Sequence, residues 1–199
     1  MNLLGSLNRF CGLGEQIGNP FINGDYTYAT NGHIIVRVPR IAAVVKEVMI
    51  DPTTMPWDHA TLTGWRPIDS YPLPERIICA RCKGTKKVVC PECEGTGEAF
   101  LRGKEDSYDV ECLLCNGDMD YKESCDNCDE DGKRYEQRMP RIELPPWDVI
   151  VNAEYLYLIR TYLPGPHFLT VNKADENYPM GIIRFKFDGG EGGLMPMRR

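Results

Sequence analysis

A chain of 199 residues, 42% hydrophobic and 26% charged, has the balance of one or two small folded domains. No apolar run approaches the roughly 18 residues that cross a bilayer, so no membrane partner is expected. The net charge is −6 and unevenly placed: 15 acidic and 9 basic side chains fall between Cys79 and Glu136, so that stretch carries the whole excess. Phosphates are repelled from it at long range, which argues against nucleic-acid binding there and leaves DNA contact to the rest of the chain.

The N-terminus shows no basic region followed by an apolar stretch, so a cytoplasmic setting is expected. Thiols stay reduced there, and paired cysteines mean metal more often than disulfide. In chain order, Tyr26–Thr30 reads as a strand, Asn31-Gly32 as a two-residue hairpin turn whose residues tolerate positive φ, and His33–Val38 as the returning strand. Ile41, Val44, Val45, Val48 and Met49 lie on one helical stripe, and Asp51-Pro52 stops it. From Pro52 to Pro74 five prolines predict irregular or short-stranded chain.

After the cysteine-bearing stretch, Asn152 is placed to cap a helix with Tyr155, Leu156, Ile159, Tyr162 and Leu163 on one side, ended by Pro164-Gly165-Pro166. Ile183, Phe185 and Phe187 alternate with Arg184 and Lys186, the pattern of a half-buried strand. Asp188–Gly193 reads as a flexible hairpin and Leu194–Met197 as a short closing strand. Neither flank makes a complete core alone. The expectation is one α+β domain built from residues 1–75 and 137–199, with residues 76–136 inserted as a small zinc-stabilised β-hairpin module.

The insertion holds four C-x-x-C pairs: Cys79 and Cys82, Cys90 and Cys93, Cys112 and Cys115, Cys125 and Cys128. Two intervening residues let both sulfurs of a pair face one ion, and Zn2+ takes four such ligands in a tetrahedron. Four pairs therefore predict two Zn2+ in closed, structural sites. Spacing alone leaves open whether the first pair joins the second or the fourth.

Cys90–Gly97 fits C-x-x-C-x-G-x-G throughout, and the first and third pairs keep the first glycine. This resembles the DnaJ-type cysteine-rich domain over about 55 residues, although no His-Pro-Asp tripeptide of a J-domain is present. The resemblance implies one zinc on Cys79, Cys82, Cys125 and Cys128 and another on Cys90, Cys93, Cys112 and Cys115.

Outside the insertion, Ala29-Thr30-Asn31-Gly32-His33, Val151–Leu156 and the terminal Leu194-Met195-Pro196-Met197-Arg198 resemble, in order, three motifs of bacterial sliding clamps. This implies a clamp-like domain. It also implies a cleft for short peptides of replication proteins, at Thr30, Gly32, His33, Met195, Pro196, Met197 and Arg198. A clamp ring needs six such domains, so encircling DNA would take a homo-oligomer. A single domain carrying a zinc module suggests a bacteriophage or mobile-element protein, hence the host cytoplasm.

Catalytic signatures are absent from the sequence: no H-E-x-x-H, P-loop, nucleophile elbow or dinucleotide fingerprint occurs. Asp58-His59 reads as solvated loop, and Cys11 as a structural thiol. Arg37, Arg40, Lys46, Arg184, Lys186, Arg198 and Arg199 are candidates for one basic face. The expected role is a non-enzymatic, protein- or peptide-binding adaptor linked to DNA replication. The alternatives are a chaperone-like peptide-binding zinc module and a DNA-binding clamp-like protein.

Overall fold

The fold is that of a computed structural model, which describes residues 2–14, 16–46, 62–102, 107–125, 127–137, 139–172 and 181–198. The chain begins with α1 (Leu3–Leu7), a 3-10 turn (Asn8–Phe10), β1 (Phe21–Asn23), β2 (Tyr26–Thr30), β3 (Ile34–Pro39), β4 (Arg66–Pro67) and a second 3-10 turn (Ile68–Ser70). Six strands follow: β5 (Arg76–Ile78), β6 (Lys87–Val89), β7 (Glu98–Arg102), β8 (Ser107–Glu111), β9 (Lys122–Ser124) and β10 (Lys133–Tyr135). The last part holds β11 (Arg141–Leu144), β12 (Val149–Asn152), α2 (Ala153–Tyr162), β13 (Phe168–Asn172), β14 (Ile182–Phe187) and β15 (Gly190–Leu194). Two compact units result, one from Met1–Pro74 with Met139–Arg199 and one from Glu75–Arg138.

The first unit is α+β, organised on a seven-stranded antiparallel sheet in the order β1-β2-β3-β15-β14-β13-β4. A helix followed by a three-stranded meander occurs twice, as α1-β1-β2-β3 and α2-β13-β14-β15. The two meanders join where β3 pairs with β15, so the two ends of the chain make the middle of the sheet. Ile34, Val36 and Val38 of β3 and Ile183, Phe185 and Phe187 of β14 are buried, as are Leu156 and Ile159 of α2. Asn152 caps α2 by accepting from the Glu154 N–H at 3.0 Å, and Arg160 donates to the carbonyls of Ile68 and Tyr71.

Several local expectations change. The β2–β3 turn is centred one residue later than Asn31-Gly32: Asn31 N–H pairs with the Ile34 carbonyl, leaving Gly32 and His33 at the tip. Gly32 alone takes positive φ, 88°. Asn31 instead accepts through its side chain from the N–H groups of His33 and Ile34. Its short polar side chain satisfies the tip without left-handed backbone. The helix expected from Ile41 does not form over the described part. Ile41–Val44 makes a turn, Val45 is 86% exposed, and the Lys46 carbonyl accepts from Ile22 N–H. Val48, Met49 and Asp51-Pro52 lie outside the described residues.

The glycine run is a strand rather than a flexible loop; only Asp188 and Gly189 form the turn. Its glycines leave space that the phenylalanine rings of β14 fill. A Cβ on Gly192 would come within 2.1 Å of Phe185 Cζ, and one on Gly190 within 2.3 Å of Phe187 Cζ. Nor is β14 half-buried: Ile182 and Arg184 are buried on its other face, where Thr170 of β13 donates to the Thr63 carbonyl. Thr63, just before β4, thus meets that face at Thr170, a contact that periodicity on β14 cannot reveal. Gly192→Ala is expected to destabilise this unit by about 1–3 kcal/mol through overpacking. Thermal melting checks this; an unchanged midpoint would contradict the packing of Phe185 over β15.

Candidate metal centres

The second unit is one segment folded back on itself, and its pairing decides which cysteines meet. The ladders are nested: β5 with β10 outermost, β6 with β9 next, β7 with β8 at the tip. Cys79 and Cys82 follow β5, and Cys125 and Cys128 precede β10, so the first and fourth pairs meet between the outer and middle ladders. By the same nesting, Cys90, Cys93, Cys112 and Cys115 meet between the middle and tip ladders. In each group the four sulfurs lie within 4.8 Å of one another, and each group can hold a metal ion. First-with-second pairing is not what the backbone makes.

The glycines of the repeat have a conformational role. The residue after the second cysteine takes positive φ in three pairs (Lys83 50°, Glu94 53°, Asn116 50°), and so does the glycine after it (Gly84 83°, Gly95 89°, Gly117 71°). Two consecutive left-handed residues curl backbone N–H groups back toward the sulfurs; Gly97 N–H donates to Cys93 Sγ at 3.3 Å. Thr85 and Thr96 close the same turn by donating to the carbonyls of Cys82 and Cys93 at 2.6 and 2.8 Å. Sequence reasoning passed over both threonines, although their shared offset in Cys-x-Gly-Thr was a readable signal.

The sulfur separations carry the chemistry. They are 3.8 Å for Cys79–Cys125, 3.5 Å for Cys82–Cys128, 3.7 Å for Cys90–Cys112 and 3.6 Å for Cys93–Cys115. A disulfide needs about 2.05 Å, and all eight cysteines are free. A tetrahedron with metal–sulfur arms of ~2.3 Å has edges of roughly 3.8 Å.

Proton affinities diverge within each nest. The backbone N–H of Cys82 helps draw Cys79 down to about 7. Burial opposes ionisation of Cys93, yet the N–H groups of Gly97 and Gly95 hold it down at about 6. Burial and the neighbouring thiols push Cys115 up to about 12, and raise Cys128 as well. In each nest at least one thiol ionises readily while another resists, and a cation among the sulfurs favours the thiolate form.

The other singled-out residues fall in the first unit. Thr30, Gly32 and His33 lie at the β2–β3 tip, and Met195 N–H donates to the His33 carbonyl at 2.9 Å. Met197 N–H donates to the Ile150 carbonyl at 2.7 Å, which sets the terminal segment beside β12. Thr30 is buried, its hydroxyl donating to the Ile34 carbonyl at 2.7 Å. Gly32, His33 and Arg198 are exposed, Pro196 and Met197 half-buried, and Met195 49% exposed. Tyr155 of α2 hydrogen-bonds the Asn31 side chain, and burial raises its pKa.

Among the described residues the basic side chains do not form one face, and Arg199 lies outside them. Arg184 is fully buried, Arg37 pairs with Glu191 over the Tyr26 ring, and Lys186 sits 4.5 Å from the Trp65 ring. Arg37, Lys186, Tyr26, Trp65 and Glu191 line a cavity of about 390 Å³. Cys11 is half-buried, and desolvation holds its thiol up at about 11. His59 lies outside the described residues. No helix among the described residues is long and apolar enough to cross a membrane.

No family model, curated protein or solved structure matches this chain.

Metal analysis of the purified chain is expected to return two ions per molecule, falling to one in Cys90→Ser or Cys125→Ser and to none in the double variant. Chelation should unfold the second unit, since structural metal of this kind contributes on the order of 10–16 kcal/mol. Retention of two ions by either single variant would contradict the assignment.

Proposed function

We propose that this chain is a non-enzymatic zinc-binding adaptor, in which two tetrathiolate zinc ions hold the second unit and the first unit captures a protein partner in DNA replication. The sulfur geometry supports the metal part: four thiolates at tetrahedral edge distances suit zinc, and a closed tetrathiolate shell leaves no position for a reacting water. On this reading Cys79, Cys82, Cys125 and Cys128 hold one zinc, and Cys90, Cys93, Cys112 and Cys115 the other. The DnaJ-type resemblance of the repeat favours the same assignment.

For the adaptor role, the carrying observation is a convergence. The three stretches that resemble sliding-clamp motifs are far apart in sequence, yet Asn31 bonds Tyr155, His33 bonds Met195, and Met197 bonds Ile150, the residue just before the second stretch. Conserving chain order alone would not demand that proximity. Methionines at such a place suit a peptide-binding surface because their flexible, polarisable side chains repack around different partners. The α+β fold with an antiparallel sheet agrees with a clamp-like domain.

A second reading, chaperone-like holding of extended peptides, draws on one further observation. Leu113 and Leu114, between the ligands of the third pair, are 89% and 52% exposed, and Met119 is exposed nearby in sequence.

Titration with short apolar peptides separates the two. For the adaptor, Met195→Ala with Met197→Ala weakens binding at least tenfold, roughly 1.4 kcal/mol, with metal content unchanged. Binding that survives those changes and fails in Cys90→Ser supports the chaperone-like reading instead. Binding to DNA that weakens steeply with salt would replace both.

A further inference from the structure

The two nests share a backbone plan and differ in side chain at one shared backbone position. Gly97, four residues after Cys93, has its counterpart in Lys86, four residues after Cys82. The backbone role is shared: Cys112 N–H donates to the Gly97 carbonyl at 2.8 Å, and Cys125 N–H to the Lys86 carbonyl at 2.8 Å. Both residues have left-handed backbone, Gly97 at φ 80° and Lys86 at φ 64°. That conformation is free for glycine and costs a lysine on the order of 1 kcal/mol or more.

The side chain offers a compensation for that strain. Lys86 is half-buried, and its ammonium donates to the carbonyl of Cys128 at 2.5 Å and to that of Cys125. A cation supplied by the first cysteine pair thus grips the backbone of the fourth. Among the described residues no carboxylate pairs with it. The tip nest has no equivalent: a Cβ on Gly97 would meet the Gly117 carbonyl oxygen at 2.7 Å, and the side chain against Gly117 is the acidic Glu111. In the other nest the fourth pair has no glycine at the offset of Gly117; Gly132 comes two residues later and packs on Gly84.

We propose that Lys86 is a positioning residue that locks the first metal site, stitching its two cysteine pairs together and offsetting one of the two negative charges of a zinc tetrathiolate, so that the two sites hold metal unequally and the tip site releases first. This rests on the metal-binding reading above. A tetrathiolate around a divalent cation keeps a charge of −2, and a nearby ammonium stabilises that charge as the approach of water or a competing ligand does not. At the tip, Glu111 adds negative charge, and among the described residues no lysine donates to the backbone of a cysteine pair as Lys86 does.

The test is zinc release from the full, zinc-loaded chain into excess chelator, followed with a chromophoric zinc indicator and with native mass spectrometry. Wild type is expected to lose zinc in two phases of equal amplitude. Cys90→Ser, which keeps only the first site, should show the slow phase alone, and Cys125→Ser the fast phase alone. Lys86→Gln should speed the slow phase roughly 10- to 100-fold, the range for losing a charged hydrogen bond, and leave the fast phase as it was. Lys86→Arg should recover part of the loss.

Lys86→Gly separates the proposal from a purely structural role. It relieves the left-handed strain, so a filler at this position predicts slower or unchanged release, whereas the proposal predicts release as fast as in Lys86→Gln. Equal release rates in wild type, or a slow phase untouched in both Lys86→Gln and Lys86→Gly, would overturn it. Wild type that binds no zinc would instead overturn the metal-binding reading.

Discussion

Mutual repulsion of thiolates is the constraint on which the second unit depends. Besides the cysteines, its buried apolar side chains among the described residues are Val88 and Tyr135. A 64-residue segment with so little apolar packing cannot offset its own conformational entropy, and a staple is the usual answer at that size. The sulfurs are already collected at tetrahedral edges, and burial with neighbouring thiols holds Cys115 and Cys128 against ionisation, which a cation between the sulfurs would relieve. A metal ion held by the four sulfurs would supply both the attraction and the core.

The nested ladders explain how so short a segment makes two such sites without crossing itself. Each strand pair returns the chain to where it left, and each return delivers one C-x-x-C turn opposite another. Close glycine contacts set the approach: Gly132 against Gly84 in one nest, Gly97 against Gly117 in the other. Arg76 anchors the open end, pairing with Asp129 and Asp131 and bonding the Lys133 carbonyl. The first unit obeys a different rule. Its two meanders join at β3 and β15 in the middle of the sheet, and Phe185 and Phe187 fill the room that glycines leave on β15, so its core is made of side chains.

What could be read in advance follows from that contrast. The candidate metal ligands are legible because their chemistry is tied to residue type and spacing, and the left-handed positions of Gly84, Gly95, Gly97 and Gly117 follow from the repeat. The cap at Asn152 and strand β2 were legible because the signals are local. The turn at Gly32-His33 slipped by one residue because the Asn31 side chain replaced left-handed backbone. The glycine run misled because glycine signals flexibility alone but here makes space for rings contributed by another strand. Burial of Arg184 was invisible for the same reason: it depends on what packs on that face of the sheet, which the alternation along β14 does not carry. Lys86 escaped notice because a lysine in a polar loop looks like solvated surface until its carbonyl partners are seen.

The central claim is that each nest binds a metal through four sulfurs. X-ray absorption at the zinc edge of the purified chain measures that shell directly. The account predicts two zinc ions per chain, each with four sulfur neighbours at ~2.3 Å and no nitrogen or oxygen. A mixed shell, or a chain that carries no metal and has its cysteines joined by sulfur–sulfur bonds, would contradict it.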